Sequence, residues 1–219
     1  MAVSSAHIRR LATHWHTPIN LLEETAANKP CYIDMAHSGI LGMTESGKTT
    51  LAVNLSKLYY RNGYSIIVLD PMCDPRWRPE GYRDPLPGEE RRFFQTADPD
   101  IFLKTFWDST GCMVFIDESG DTVGRYDIAM QQTATKGRHW GHSVHFLSQR
   151  GAQINRTVRD QWSNLFLFNT AKKDAELHAH EWNQPELENA NLLPQGHYYH
   201  VVRFDKDGKA GTLKRGKLF

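Results

Sequence analysis

A chain of 219 residues, 40% hydrophobic and 23% charged, can build one well-buried core and is not compositionally disordered. Its formal net charge of +1 gives no global sign of nucleic-acid binding, so any polyanion contact must rest on local charge. Cys31, Cys73 and Cys112 are an odd number with no CxxC pair, which argues against a disulfide framework and a zinc knuckle and fits a reducing compartment. No stretch reaches the roughly 18 apolar residues that a spanning helix needs. The N-terminus also lacks the apolar segment of a secretory signal. The expectation is a soluble, intracellular protein.

Residues 1–30 read as an arm or strap, with short amphipathic helical pieces near Ile8–Trp15 and Pro18–Leu22. His7, His14 and His16 have no acidic or cysteine partner at metal-ligand spacing. The first core strand is expected at the end of Tyr32–Leu41. Gly42-Met43-Thr44-Glu45-Ser46-Gly47-Lys48-Thr49 follows, two glycines bracketing four residues and then Lys-Thr. This is the spacing of a phosphate-binding loop, in which successive backbone N–H groups and a helix N-terminus surround an anion. The helix from Lys48 to about Arg61 ends at Asn62-Gly63, a C-terminal stop. Ser65–Asp70 is continuously apolar up to its aspartate, as a parallel strand buried on both faces should be.

Residues 71–95 read as a long loop rich in proline. Arg76, Arg78, Arg83, Arg91 and Arg92 oppose Asp74, Glu80, Asp84, Glu89 and Glu90, with Trp77, Tyr82, Phe93 and Phe94 among them. Such interleaving suits either a grip on nucleic acid or a subunit interface. Asp98-Pro99 caps a helix to about Trp107, and Cys112–Ile116 is a strand ending in Asp117-Glu118. A helix over Gly124–Lys136, a strand over Ser143–Ser148, a helix over Gln153–Trp162 and a strand over Leu165–Phe168 follow. A helix over Lys172–Trp182, with His178 and His180 on its surface, and a short helix over Pro185–Ala190 complete the core. Beyond Gly196 the pattern is period-2, reading as a terminal hairpin around Lys206–Lys209. The organisation is thus an arm (1–30), an α/β nucleotide-binding core (31–195) with a parallel sheet covered on both faces, and a C-terminal hairpin with a basic tail (196–219).

The chemistry concentrates at strand ends, where open α/β sheets bind ligands. Lys48 would reach the β- and γ-phosphates of ATP, and Thr49 and Asp117 would hold Mg²⁺. Glu118 would orient and deprotonate an attacking water, and Gln149 would contact that water and a γ-phosphate oxygen. The nucleotide-binding set is Gly42, Met43, Thr44, Glu45, Ser46, Gly47, Lys48, Thr49 and Thr50. Between Lys136 and Arg159 the charged residues are Lys136, Arg138, Arg150, Arg156 and Arg159, all positive. The tail repeats the bias, with Arg203, Lys206, Lys209, Lys214, Arg215 and Lys217 against Asp205 and Asp207. Two roles fit the unopposed run: phosphate contacts to nucleic acid, or an arginine lent to a neighbouring subunit.

The ordered set of Gly42–Thr49, Met113–Glu118, Gly137-Arg138-His139 and Phe146–Arg150 resembles the FtsK–HerA group of ATPases, most of all the small genome-packaging ATPases of membrane-containing icosahedral viruses. The resemblance covers about residues 38–219. It implies a RecA-like core, an ATP-driven motor that moves double-stranded DNA, and a homo-oligomeric ring, usually a hexamer. It further implies Glu118 as base, Gln149 as sensor and Arg138 as the finger between subunits, with Arg156 and Arg159 in reserve. A portal or vertex protein of a capsid would be a partner, and the site of action would be the host cytoplasm and the virion vertex. Two other readings are a small-molecule kinase, since Met43–Thr50 faintly resembles a thymidine kinase loop, and a nucleotide-gated structural protein of a virion or secretion complex.

Overall fold

The computed structural model describes residues 36–122, 127–204 and 211–219. The expected arm at 1–30 and the Lys206–Lys209 turn lie outside them. Strands β1 (Ser38–Leu41), β2 (Ile66–Leu69), β3 (Phe93–Thr96), β4 (Met113–Ile116), β5 (Ser143–Ser148), β6 (Asn164–Phe168), β7 (His197–Val202) and β8 (Leu213–Lys217) form one sheet in the order β3-β2-β4-β5-β1-β6-β7-β8. The pairs from β3 to β6 are parallel, and β7 and β8 add as an antiparallel hairpin. Every residue of β1, β2, β4 and β5 is buried, which explains their unbroken runs rather than alternation.

Alternate side chains of these strands serve two cores. Ile40, Val68, Phe115 and Leu147 pack with Leu51, Ala52, Leu55 and Tyr59 of helix α1 (Lys48–Arg61) and with Trp77. Leu41, Leu69, Ile116 and Phe146 face the other way. There they meet α2 (Pro99–Asp108), through Phe102 and Phe106, and α4 (Ile128–Lys136), through Met130 and Ala134. Helix α6 (Lys172–Trp182) closes that layer with Ala175, Ala179 and Trp182. Asp98 caps α2 by accepting from Asp100 and Ile101 N–H, as its place before Pro99 requires.

Three expectations change and one short element is added. Residues 71–95 are not loop throughout: Phe93 and Phe94 begin the edge strand β3, paired with Ile66 and Ile67. The strand is short, with one fully buried residue, and its flanking arginines hide its periodicity. The helix expected over 153–162 is a 3₁₀ turn at Gly151–Gln153 and a single turn, α5 (Arg156–Arg159), because Asn155 caps a new start through its bond from Thr157 N–H. A short α3 (Ser119–Thr122) follows the acidic pair. His178 is fully buried, not on the helix surface: it packs against Gly151, where a Cβ would lie 2.4 Å from its ring. His180 is exposed as expected.

Buried histidines give the core an acid limit. His145 lies between the rings of Phe115 and Tyr59, at 4.6 and 5.5 Å between centroids. Its burial pushes its pKa down to about 3. His37 is lowered to about 3 by burial and then by the Arg138 charge, and His200 to about 4 by burial and Lys214. These rings stay neutral in the folded chain while the unfolded chain protonates near pH 6.5, so stability is full above that pH and is lost below it. Between pH 7.5 and 5.5 each costs about 1.4 kcal/mol, about 4 kcal/mol for the three. Asp117, pushed up to about 6, takes up a proton in the folded state and offsets less than about 1 kcal/mol. His142, also lowered by burial, adds to the loss, so urea unfolding at the two pH values should show a net loss of at least about 3 kcal/mol; equal midpoints would contradict it.

Candidate nucleotide site

The loop between β1 and α1 closes on itself at the carboxyl edge of the sheet. Gly42 N–H donates to the Ser148 carbonyl and Met43 N–H to that of Asn169, fixing the loop between β5 and β6. Gly42 has φ 153° and Gly47 φ 115°, conformations in which a Cβ is strained. A Cβ at Gly42 would also stand 2.6 Å from Phe168, and one at Gly47 2.9 Å from Leu218. Gly47 is the N-cap of α1 and supplies no side-chain acceptor, and the first turn holds no acid. The first N–H groups of the helix are therefore left to an outside anion.

Lys48 is buried at the first helical position and donates to the Met43 carbonyl at 2.9 Å. Burial lowers its pKa, and Glu118 and Asp117 pull it back up, so the three groups share one electrostatic site. The Ser46 hydroxyl is buried without a hydrogen-bond partner among the described atoms. A buried ammonium, an orphaned hydroxyl and an uncapped helix start all suit an anionic ligand. Thr49 and Thr50 are half-buried in the first turn, whereas Met43, Thr44 and Glu45 form the exposed crest.

Asp117 follows β4 and donates its N–H to the Leu69 carbonyl, which sets it beside Asp70 at the end of β2. Burial, then Glu118 and Asp70, raise its pKa to about 6, against the opposing bond from Glu118 N–H. Glu118 takes φ 49°, a left-handed conformation that costs a non-glycine residue about 1–2 kcal/mol. The turn is held by the Ser119 hydroxyl, which donates to the Ile116 carbonyl at 2.6 Å. Gln149 is exposed directly after β5, whose Ser148 is level with Leu41 before the loop. Lys48, Thr49, Asp117, Glu118 and Gln149 are thus brought to one edge.

Arg138 is not at that edge. It precedes β5, in the 3₁₀ turn Gly137–Trp140, and its guanidinium donates to the Gln161 carbonyl at 2.7 Å and the Ser163 hydroxyl at 3.1 Å. Arg159 is committed inside the chain, to both Glu181 oxygens and to the Gly151 and Ile154 carbonyls. Arg156 is exposed beside Asp160 at 3.7 Å. Sequence reasoning missed Asp70, a buried carboxylate that accepts from Met72 and Asp74 N–H and the Gln95 amide. Its position at the end of an apolar strand was the available signal.

Residues 21–74 match the family model described as Helicase HerA, central domain. Searching curated proteins gives no match. Among solved structures, the genome-packaging NTPase B204 from Sulfolobus turreted icosahedral virus 2, in complex with sulfate, superposes with a TM-score of 0.68. The two are 18% identical over 85% of this chain and 98% of that one. B204 from Sulfolobus turreted icosahedral virus, described as a DNA-packaging ATPase, gives 0.67 at 17% identity over 84% and 98%. VirB4 of Thermoanaerobacter pseudethanolicus gives 0.58 at 13% over 84% and 89%. The chain shares the fold of these NTPases. The RecA-like parallel sheet and terminal hairpin expected from the sequence are therefore present. Among the described residues no helix is long and apolar enough to cross a membrane.

Proposed function

We propose that this protein is an ATP-hydrolysing motor that translocates double-stranded DNA, packaging a viral genome into a preformed capsid. The observation that carries the reading is the meeting of Lys48, Asp117 and Glu118 behind the phosphate loop. The matches to B204 and to the HerA central domain support it. ATP sits on the N–H groups of the loop, with Lys48 turned from Met43 to the phosphates. Thr49 and Asp117 fit as ligands of Mg²⁺, which neutralises phosphate charge when bound. Glu118, held out of the strand by its left-handed backbone, takes the proton of the attacking water. Gln149 hydrogen-bonds that water and the γ-phosphate.

The motor is a homo-oligomeric ring, a hexamer, in which Arg138 completes the neighbouring site. Its place away from its own phosphate loop supports a role across a boundary, for which its guanidinium would leave Gln161 and Ser163, whereas Arg159 is held in an ion pair with Glu181. The ring acts in the host cytoplasm during assembly and docks on a portal or vertex protein of the capsid, where it is retained.

The deciding experiment is phosphate release with and without double-stranded DNA. Stimulation by DNA supports the motor. Phosphate appearing on thymidine would replace it with a kinase, and nucleotide binding without turnover with a gated structural protein. Lys48→Ala should lower ATP affinity at least about tenfold, the worth of one charge-assisted contact. It should leave urea unfolding close to that of the parent, because the ammonium meets the ligand side of the loop. Unchanged ATP binding and turnover in a folded variant would refute the assignment of the loop.

A further inference from the structure

The arginine-rich segment before β3 is not explained by the nucleotide site. Three of its arginines are spent inside the chain. Arg76 pairs with Asp74 at 2.6 Å and Arg83 with Glu89 at 2.7 Å, and Arg92 donates to the Tyr60 and Tyr64 carbonyls. Trp77 is core, against Phe115. Arg78 and Arg91 remain. Among the described residues neither makes an ion pair; each lies instead beside an aromatic ring, Arg78 at 5.8 Å from the centre of Tyr82 and Arg91 at 5.9 Å from that of Phe94.

Both arginines and both rings line one cavity of about 440 Å³ at the open edge of the sheet, with Cys73 and Gln95 in its wall. The lining carboxylate, Asp84, accepts from the Tyr82 hydroxyl at 3.3 Å and keeps its charge, so the two guanidiniums outnumber it and leave the cavity lining net positive. Its volume is in the range of small-ligand sites and is far larger than a lone phosphate needs. Guanidiniums suit phosphate oxygens, and the rings suit stacking on a base.

We propose that this cavity is a second phosphate-ester site, which takes one nucleotide unit with its phosphate on Arg78 and Arg91 and its base against Tyr82 and Phe94. The unit comes either from a free nucleoside monophosphate or from a single-stranded stretch or end of DNA. The wall touches the catalytic edge indirectly: the Gln95 amide donates to Asp70 at 3.0 Å and to the Asp74 carbonyl at 3.0 Å, and Asp70 adjoins Asp117. The proposal goes beyond the motor reading and does not depend on hydrolysis.

The test uses the full chain with one equivalent of Mg·ADP per subunit for the phosphate loop, so that no excess ADP competes for the cavity. AMP and a 5′-phosphorylated dinucleotide are titrated, and the alkylation rate of Cys73, exposed in the cavity wall, is read by peptide mass mapping. Ligand should slow alkylation of Cys73. The apparent affinity should fall at least about tenfold in Arg78→Ala/Arg91→Ala. It should fall in Tyr82→Leu too, through lost stacking. The one phosphate neutralised should also give the dinucleotide a log–log salt slope of no more than about −0.7, absent in the double arginine variant. Protection by AMP identifies the free nucleotide as sufficient, and protection by the dinucleotide alone identifies the strand. No protection by either ligand, or equal protection in the double arginine variant whose urea unfolding matches the parent, overturns the proposal.

Discussion

Glu118→Gln should retain Mg·ATP binding and lose about 10²–10⁴ in turnover, the usual contribution of a positioned base. The amide can still orient a water but accepts its proton poorly. The carboxylate stands one residue after Asp117, in a left-handed turn at φ 49° that carries it out of line with β4. Fixing a side chain at the price of backbone strain is common where geometry serves chemistry. Binding and hydrolysis must be measured on the same preparation. ATP affinity within about twofold of the parent together with lost phosphate release assigns the base; near-parental turnover removes Glu118 from that role. Glutamine can adopt the same turn, so a fall in stability is not expected to confound the result.

The second expectation concerns assembly. Arg138→Ala should lower turnover by about 10³–10⁵, the worth of an arginine placed on the charge of the transition state. Mixing it with Glu118→Gln should then restore part of the lost activity. Arg138→Ala subunits keep the phosphate loop and the base, and Glu118→Gln subunits keep the arginine. In a mixed ring the second can complete the site of the first. Phosphate release against mixing ratio should be bell-shaped, under conditions where sizing shows subunit exchange. A flat line at the sum of the parents, in confirmed mixed rings, would exclude the trans role and move Arg156 forward, since Arg159 is held by Glu181. An arginine serving DNA phosphate would behave differently, weakening DNA affinity and its salt slope while sparing DNA-free turnover. Within its own chain Arg138 also ties the start of β5 to Gln161 and Ser163. Its removal should cost about 1 kcal/mol of stability, and Arg138→Lys serves as the control that keeps the charge.

Local pattern was enough for the centre of this protein. The glycine spacing of 42–49 with apolar residues on both sides specifies strand, loop and helix, because only glycine sits easily at the positive φ of Gly42 and Gly47. The central strands were legible because burial on both faces makes them continuously apolar. Asp98-Pro99 and Asn62-Gly63 marked helix ends because caps are local chemistry. Asp117 and Glu118 could be placed near Lys48 without coordinates, since parallel strands deliver their carboxyl ends to one edge.

What was decided only in three dimensions depends on partners distant in sequence. β3 forms because β2 offers it a ladder, not because Phe-Phe-Gln-Thr insists on extension. His178 is buried because Gly151, far along the chain, leaves room for its ring. The arginines of 76–92 look alike in the sequence, and only packing separates those bonded to carboxylates and carbonyls from Arg78 and Arg91, which line a cavity. The run from Lys136 to Arg159 divides in the same way: the structure holds a half-buried Arg159 in an ion pair and sets Arg138 at the far end of β5. Charge type is written in the sequence, but desolvation and pairing are properties of neighbours, and neighbours are set by the fold.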